Sequence, residues 1–180
     1  MKPILLIFLV ISFSAKGQYF EAIGNGIGII APVNSGVEAL CSDTAHHLLV
    51  ISGDFSSADG VSYNGICFWN GTSYGGMEVN MGNGLLTTRA VNWGNYTVVS
   101  ADNKVYIYDS THIIQILPAA SYYIEDLIIY NNQICICGAF DIAGGVTVNC
   151  IAKWNGSAWE SIGGGLTGSN SFSIQSLGIL

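Results

Sequence analysis

Basic side chains are scarce in this 180-residue sequence. Five lysines and arginines stand against twelve aspartates and glutamates, which gives a formal net charge of −7, and Arg89 is the only arginine. Proteins that bind nucleic acid or anionic membranes neutralise phosphate groups with clustered Lys and Arg side chains. Because the sequence has no such cluster, we expect neither nucleic acid nor a membrane surface among its partners.

The cysteine and histidine spacing of a zinc site is also missing. There is no CxxC, and His46, His47 and His112 do not lie at ligand spacing, so we expect no metal site built on them. Two interpretations of the cysteines stay open: small buried hydrophobic residues, or a set containing one disulfide formed in an oxidising compartment. There are five, which leaves at least one unpaired: Cys41, Cys67, Cys135, Cys137 and Cys150.

The amino terminus has the three parts of a secretory signal peptide. Lys2 supplies the positive charge, residues 4–13 form an unbroken apolar run, and residues 15–17 provide the small side chains of a cleavage site. This apolar run is well short of the roughly 20 residues that a membrane-spanning helix needs. The sequence predicts a signal peptide over residues 1–17 and a secreted or cell-surface mature chain without a membrane span.

A repeated segment is the strongest pattern in the sequence. Residues 53–71 align without a gap with residues 138–156, at an offset of 85, and ten of the nineteen aligned positions are identical. A shorter copy, residues 98–110, lies between them, so the period is near the roughly 40 to 50 residues of a propeller blade. No sustained helical periodicity occurs outside the leader, and we therefore expect an all-β fold.

Each repeat unit reads as four short strands joined by turns. Asn-Gly at residues 70–71 and 155–156 favours hairpins with type I′ turns, in which both central residues have positive φ. Asn131-Asn132 marks another turn. The sequence predicts blades over about 36–85, 86–118 and 122–167.

Both ends of the mature chain resemble single strands of this unit. Residues 19–27 are predicted as a last strand because they include a segment similar to residues 159–166, and residues 172–180 resemble an opening strand. Propellers have roughly 4 to 8 blades. About three complete blades with partial terminal strands therefore predict a partial or open propeller, which could close by self-association.

These units resemble the kelch and galactose-oxidase-like propeller repeats, in which a strand ending in Gly precedes a loop, an aromatic residue, a turn and a second aromatic residue. Residues 134–138, Trp154, Asn155-Gly156 and Trp159 follow this order. The patterns G-x-F-x-x-A-G-G and W-N-G-x-x-W look most like repeats in large exported proteins of Bacteroidota, which often end in a type IX secretion sorting domain. The resemblance implies a β-propeller of four-stranded antiparallel blades.

No segment has the pattern of an active site, so we predict no catalytic residue. The histidines fit exposed turns, and a glycosidase would need two opposed carboxylates. Asp54, Asp59 and Asp141 lie in long loops, where Asp is usually a turn residue. These carboxylates and Tyr63 are the candidate binding residues. We expect no cofactor, and Ca²⁺ is the one ion that the loop carboxylates could bind.

The sequence leaves two functions open. We favour a non-catalytic binding or structural role, in which loops on one face recognise a glycan or a protein. The alternative is the propeller portion of a larger secreted hydrolase or oxidase whose catalytic residues lie outside this chain.

The other repeat positions predict packing rather than chemistry. Trp69 and Trp154 occupy the same place in the repeat and are expected to wedge between neighbouring blades. Gly60 and Gly145 are expected to meet a backbone requirement. The predicted structural positions are Gly53, Phe55, Gly60, Trp69, Gly138, Phe140, Gly145, Trp154 and Trp159.

Overall fold

The computed structural model describes residues 27–28, 36–63, 65–78, 87–166, 168 and 173–179. All regular secondary structure in these segments is β-strand, which confirms the all-β prediction. In the same segments no helix is long and apolar enough to cross a membrane. The predicted signal peptide lies outside the described residues and stays a prediction.

Three antiparallel sheets of four strands each dominate the fold. The strands are β1 (Ile27–Gly28), β2 (Val37–Asp43), β3 (Leu48–Gly53), β4 (Ser57–Ala58), β5 (Val61–Ser62), β6 (Ile66–Trp69), β7 (Tyr74–Gly76), β8 (Thr87–Trp93), β9 (Tyr96–Ala101), β10 (Lys104–Asp109), β11 (His112–Ile116), β12 (Ile124–Tyr130), β13 (Gln133–Gly138), β14 (Ile142–Ala143), β15 (Val146–Thr147), β16 (Ile151–Trp154) and β17 (Trp159–Ser161). The first sheet is β2-β3-β6-β7, the second β8-β9-β10-β11 and the third β12-β13-β16-β17. Short hairpins, β4-β5 and β14-β15, interrupt the first and third sheets at the same point.

The second sheet lies between the other two. Val98 and Val99 are neighbours in β9, and their side chains point to opposite faces because successive residues of a strand alternate. Val98 packs in a cluster with Ile136 of the third sheet, and Val99 packs in another with Val50 of the first. Burial on both faces explains why β9 and β10 are apolar along most of their length.

The first strands of the three sheets are neighbours: β2 contacts β8, and β8 contacts β12. Each of these strands has a register shift at the same place, between Val37 and Ala39, between Thr87 and Arg89, and between Ile124 and Asp126. Such shifts bend and twist a strand. The structural repeat therefore extends to the second sheet, where the sequence repeat is weakest.

The Asn-Gly pairs form hairpins, but the predicted turn type is wrong. Gly71 and Gly156 have positive φ, whereas Asn70 and Asn155 do not. The Asn155 side-chain oxygen instead accepts hydrogen bonds from the backbone amides of residues 157 and 158, and Asn70 does the same one unit earlier. The loop has four residues because Trp154 pairs directly with Trp159. The two-residue I′ geometry occurs at Asn131-Asn132, where both φ values are positive.

The described ends of the chain differ from the predicted terminal strands. Of residues 19–27, only Ile27 is described; it pairs with Ala58 of a short hairpin. Residues 173–179 form no regular strand. They make one backbone hydrogen bond to the third sheet, which Ile174 N donates to Gly138 O at 3.3 Å. The described sheets do not close into a ring.

All five cysteines are buried free thiols. This outcome agrees with the first of the two interpretations and not with a disulfide. Burial raises the pKa of Cys67 to about 12, and burial together with the nearby Asp126 carboxylate raises that of Cys137 to about 12. These thiols stay protonated at neutral pH and are poor nucleophiles.

Candidate functional site

The two long loops of the repeat each fold into a small hairpin with the same geometry. Asp59-Gly60 and Gly144-Gly145 fill the two central turn positions, and all four residues have positive φ. This is the type I′ condition, so Gly60 and Gly145 meet the predicted backbone requirement. Asp59 is a turn residue of this hairpin.

The four candidate binding residues do not converge. Asp54 follows β3 and is half-buried, Asp59 is exposed in its turn, and Tyr63 packs partly buried against the first sheet. Asp141 is exposed on the corresponding loop of the third sheet. Because the second sheet lies between the first and third, Asp141 is separated from the other three.

The aromatic repeat positions lie in the apolar clusters. Phe55 and Phe140 are buried under their hairpins. Trp154 and Trp159 lie edge to face, 5.3 Å apart, in the cluster between the second and third sheets. Trp69 is half-buried with Tyr74 on the outer face of the first sheet, which faces no other four-stranded sheet among the described residues.

The loop of the third sheet is fixed to the segment that leads into β12. Ser121 N donates to Ile142 O at 2.7 Å, Gly144 N to Ala119 O at 2.9 Å, and Ala139 N to Tyr123 O at 3.1 Å. The Ser121 hydroxyl accepts hydrogen bonds from the amides of Asp141 and Ile142. This network of hydrogen bonds joins residues 119–123 to residues 139–144.

Gly138 is required for this arrangement. A Cβ at residue 138 would collide with the carbonyl oxygen of Tyr123. In the first sheet, a Cβ at Gly53 would collide with the Gly36 carbonyl oxygen in the same way. The close approach of strand and incoming segment explains both conserved positions of the internal repeat.

Two adjacent tyrosines of the hydrogen-bonded segment 119–123 project into solvent. Tyr122 is 56% exposed and Tyr123 is 47% exposed. Their ring centroids are 4.5 Å apart and their planes are inclined at 63°. The pair therefore presents the face of one ring beside the edge of the other.

An acidic residue is joined to the start of this pair. Ala120 forms an isolated antiparallel bridge with Ala143, and the Asp141 amide donates a hydrogen bond to the hydroxyl of Ser121, the residue before Tyr122, at 3.2 Å. We call Ser121, Tyr122, Tyr123 and Asp141 the tyrosine surface.

Sequence reasoning identified Asp141 but missed the tyrosines. Tyr122 and Tyr123 precede a strand outside the repeated block, and at the equivalent place in the first sheet the chain has Gly36. The difference between Gly36 and Tyr123 could have identified this position. A repeat position that is Gly in one unit and a large aromatic residue in another has no packing role common to both units.

His46 also differs from its predicted role as an exposed turn residue. It does lie in the turn after β2, but it is half-buried. Its Nδ1 lies 2.9 Å from the buried Asp43 carboxylate, and its Nε2 lies 3.3 Å from Asp109 of the second sheet. The imidazole ties two sheets together. His47 is exposed in the same turn, as expected.

Among the described residues, no group of three or more His, Cys, Asp or Glu side chains could hold a metal ion. No family model matches the chain, and no curated protein matches it. The kelch-like resemblance therefore stays an expectation based on the residues quoted above.

Proposed function

We propose that this chain is an exported, non-catalytic binding protein built on the plan of a kelch-like β-propeller, with loops on one face that recognise a glycan or a protein. The observation that carries the proposal is the tyrosine surface, in which two exposed aromatic rings lie on a backbone segment that is hydrogen-bonded to the loop carrying Asp141. Large exposed aromatic side chains are characteristic of recognition surfaces.

The packing of the sheets supports the propeller plan. Each sheet is a four-stranded antiparallel meander, the first strands are neighbours, and the sheets stack face to face. Residues 173–179 lie beside the third sheet as a further opening segment would, since Leu177 N and the Ser176 hydroxyl donate to Asp126, at 2.7 and 3.0 Å.

The amino-terminal contact repeats a feature of the third sheet. Ile27 pairs with Ala58 of the first hairpin, just as Ala120 bridges Ala143 of the second.

A glycan array distinguishes binding from catalysis. The exported protein, labelled with a fluorophore, is incubated on the array, and the supernatant is assayed for released reducing sugar. We expect retention on at least one glycan without release of product. Product release would instead support the hydrolase alternative, and retention on no glycan would leave only the protein-recognition form of the proposal.

A further inference from the structure

We infer that the tyrosine surface binds a neutral glycan, with the rings of Tyr122 and Tyr123 stacking against the apolar face of a sugar and the Asp141 carboxylate accepting hydrogen bonds from its hydroxyl groups. This inference rests on the proposed binding function and names the site and the ligand class. The proposed site is distinct from the other candidate binding residues, Asp54, Asp59 and Tyr63, which belong to the loop of the first sheet.

The chemistry of a sugar ring fits the described groups. One face of a pyranose carries C–H bonds, which are attracted to the negative face of an aromatic ring, and its edge carries hydroxyl donors. Tyr122 and Tyr123 offer the aromatic faces, and the loop that is hydrogen-bonded to Ser121 supplies the exposed carboxylate of Asp141 as an acceptor. The fixed backbone around Ser121 means that little conformational entropy is lost on binding.

Charge selects neutral over acidic glycans. Asp141 would repel a uronate or sulfate group at this surface, and the formal net charge of −7 adds to that repulsion. The only arginine, Arg89, is already paired with Asp126 at 2.6 Å. A neutral polysaccharide meets no such penalty.

The dimensions also favour a glycan over a protein partner. A stable protein interface buries roughly 800 Å² on each side. The exposed rings of Tyr122 and Tyr123, with centroids 4.5 Å apart, cover a far smaller area than that.

The test is affinity electrophoresis of the mature protein in gels containing dextran, xyloglucan, galactomannan or, as the acidic probe, alginate. The variants are Tyr122→Ala, Tyr123→Ala and Asp141→Ala. The matched control is Tyr130→Ala, since Tyr130 is 51% exposed at the opposite end of β12. Circular dichroism establishes that each variant is folded.

We expect retardation in at least one neutral polysaccharide and none in alginate. Each tyrosine variant should weaken binding by about tenfold, Asp141→Ala should weaken it less, and Tyr130→Ala should have no effect. Retardation that persists unchanged in both tyrosine variants would overturn the site but leave the binding function intact. Absence of retardation in every neutral polysaccharide, or stronger retardation in alginate, would overturn the neutral-glycan assignment.

Discussion

The first and third sheets contain the same repeated block but differ in what covers it. Their equivalent residues can be matched through strand pairing, since Leu40 lies opposite Ile51 and Leu127 lies opposite Ile136. Leu127 is 1% exposed against the second sheet, whereas Leu40 is 60% exposed. The repeat thus specifies the sheet and its apolar face, but only a neighbouring sheet buries that face.

The two units also differ at the loop edge. Tyr123 in the third unit and Gly36 in the first present the same carbonyl oxygen to a strand glycine. Because that contact uses only backbone, the side chain at this position can vary without disturbing the sheet. The third unit has an exposed aromatic ring at this position, and the first unit has none.

The largest difference in stability loss is expected between Trp154 and Trp69, which occupy the same position in the third and first units. Trp154→Ala should lower the free energy of unfolding by about 3 to 5 kcal/mol, because the ring fills the space between the second and third sheets. Trp69→Ala should cost less, since its ring is half-buried on an outer face. Urea unfolding of both variants measures the difference, and equal losses would show that the first sheet is also covered by a neighbour.

Leu127 and Leu40, which occupy equivalent positions in the third and first sheets, allow a second comparison of the same kind. Leu127→Ala should cost about 2 to 5 kcal/mol, as buried Leu-to-Ala changes do. Leu40→Ala should stay within about 0.5 kcal/mol of the parent, the range for surface substitutions. Thermal melts would report both, and a large loss at Leu40 would mean that other residues of the chain, or a second copy, bury it.

A smaller, pH-dependent effect is expected at Asp126. Burial alone would raise its pKa, but hydrogen bonds from the Leu177 amide, the Arg89 guanidinium, the Leu127 amide and the Ser176 hydroxyl outweigh burial and lower it. A carboxylate with a lowered pKa stabilises the fold above its ordinary range near pH 4, and this contribution is lost as pH falls through the folded-state pKa. The first sheet has Ala39 at this register position and lacks the effect.

Asp126→Asn should therefore cost about 2 kcal/mol at pH 7 and progressively less below pH 4. Denaturant unfolding at pH 7, 5 and 3 measures this trend. A constant difference between Asp126→Asn and the parent across this range would contradict the assignment.

Local patterns accounted for the strands and most turns. The run of β-forming residues in β13 and the Asn131-Asn132 turn depend on neighbours in the chain, so they could be read directly. The conformation around Asn70 could not, because two turn types place Asn before Gly and the side-chain hydrogen bonds decide between them. The loop hairpins were also missed, since each strand within them has only two residues.

The sequence by itself determined that the described chain is all-β, that the unit repeats, and that Gly60 and Gly145 meet a backbone requirement. These properties follow from side-chain periodicity and steric limits within short segments. Only the tertiary structure decided that the Asp141 amide is hydrogen-bonded to Ser121, that His46 links two sheets and that Leu40 and Leu127 differ in burial. Those outcomes depend on pairing between segments distant in the chain and on which sheet packs against which, and neither is encoded in a local pattern.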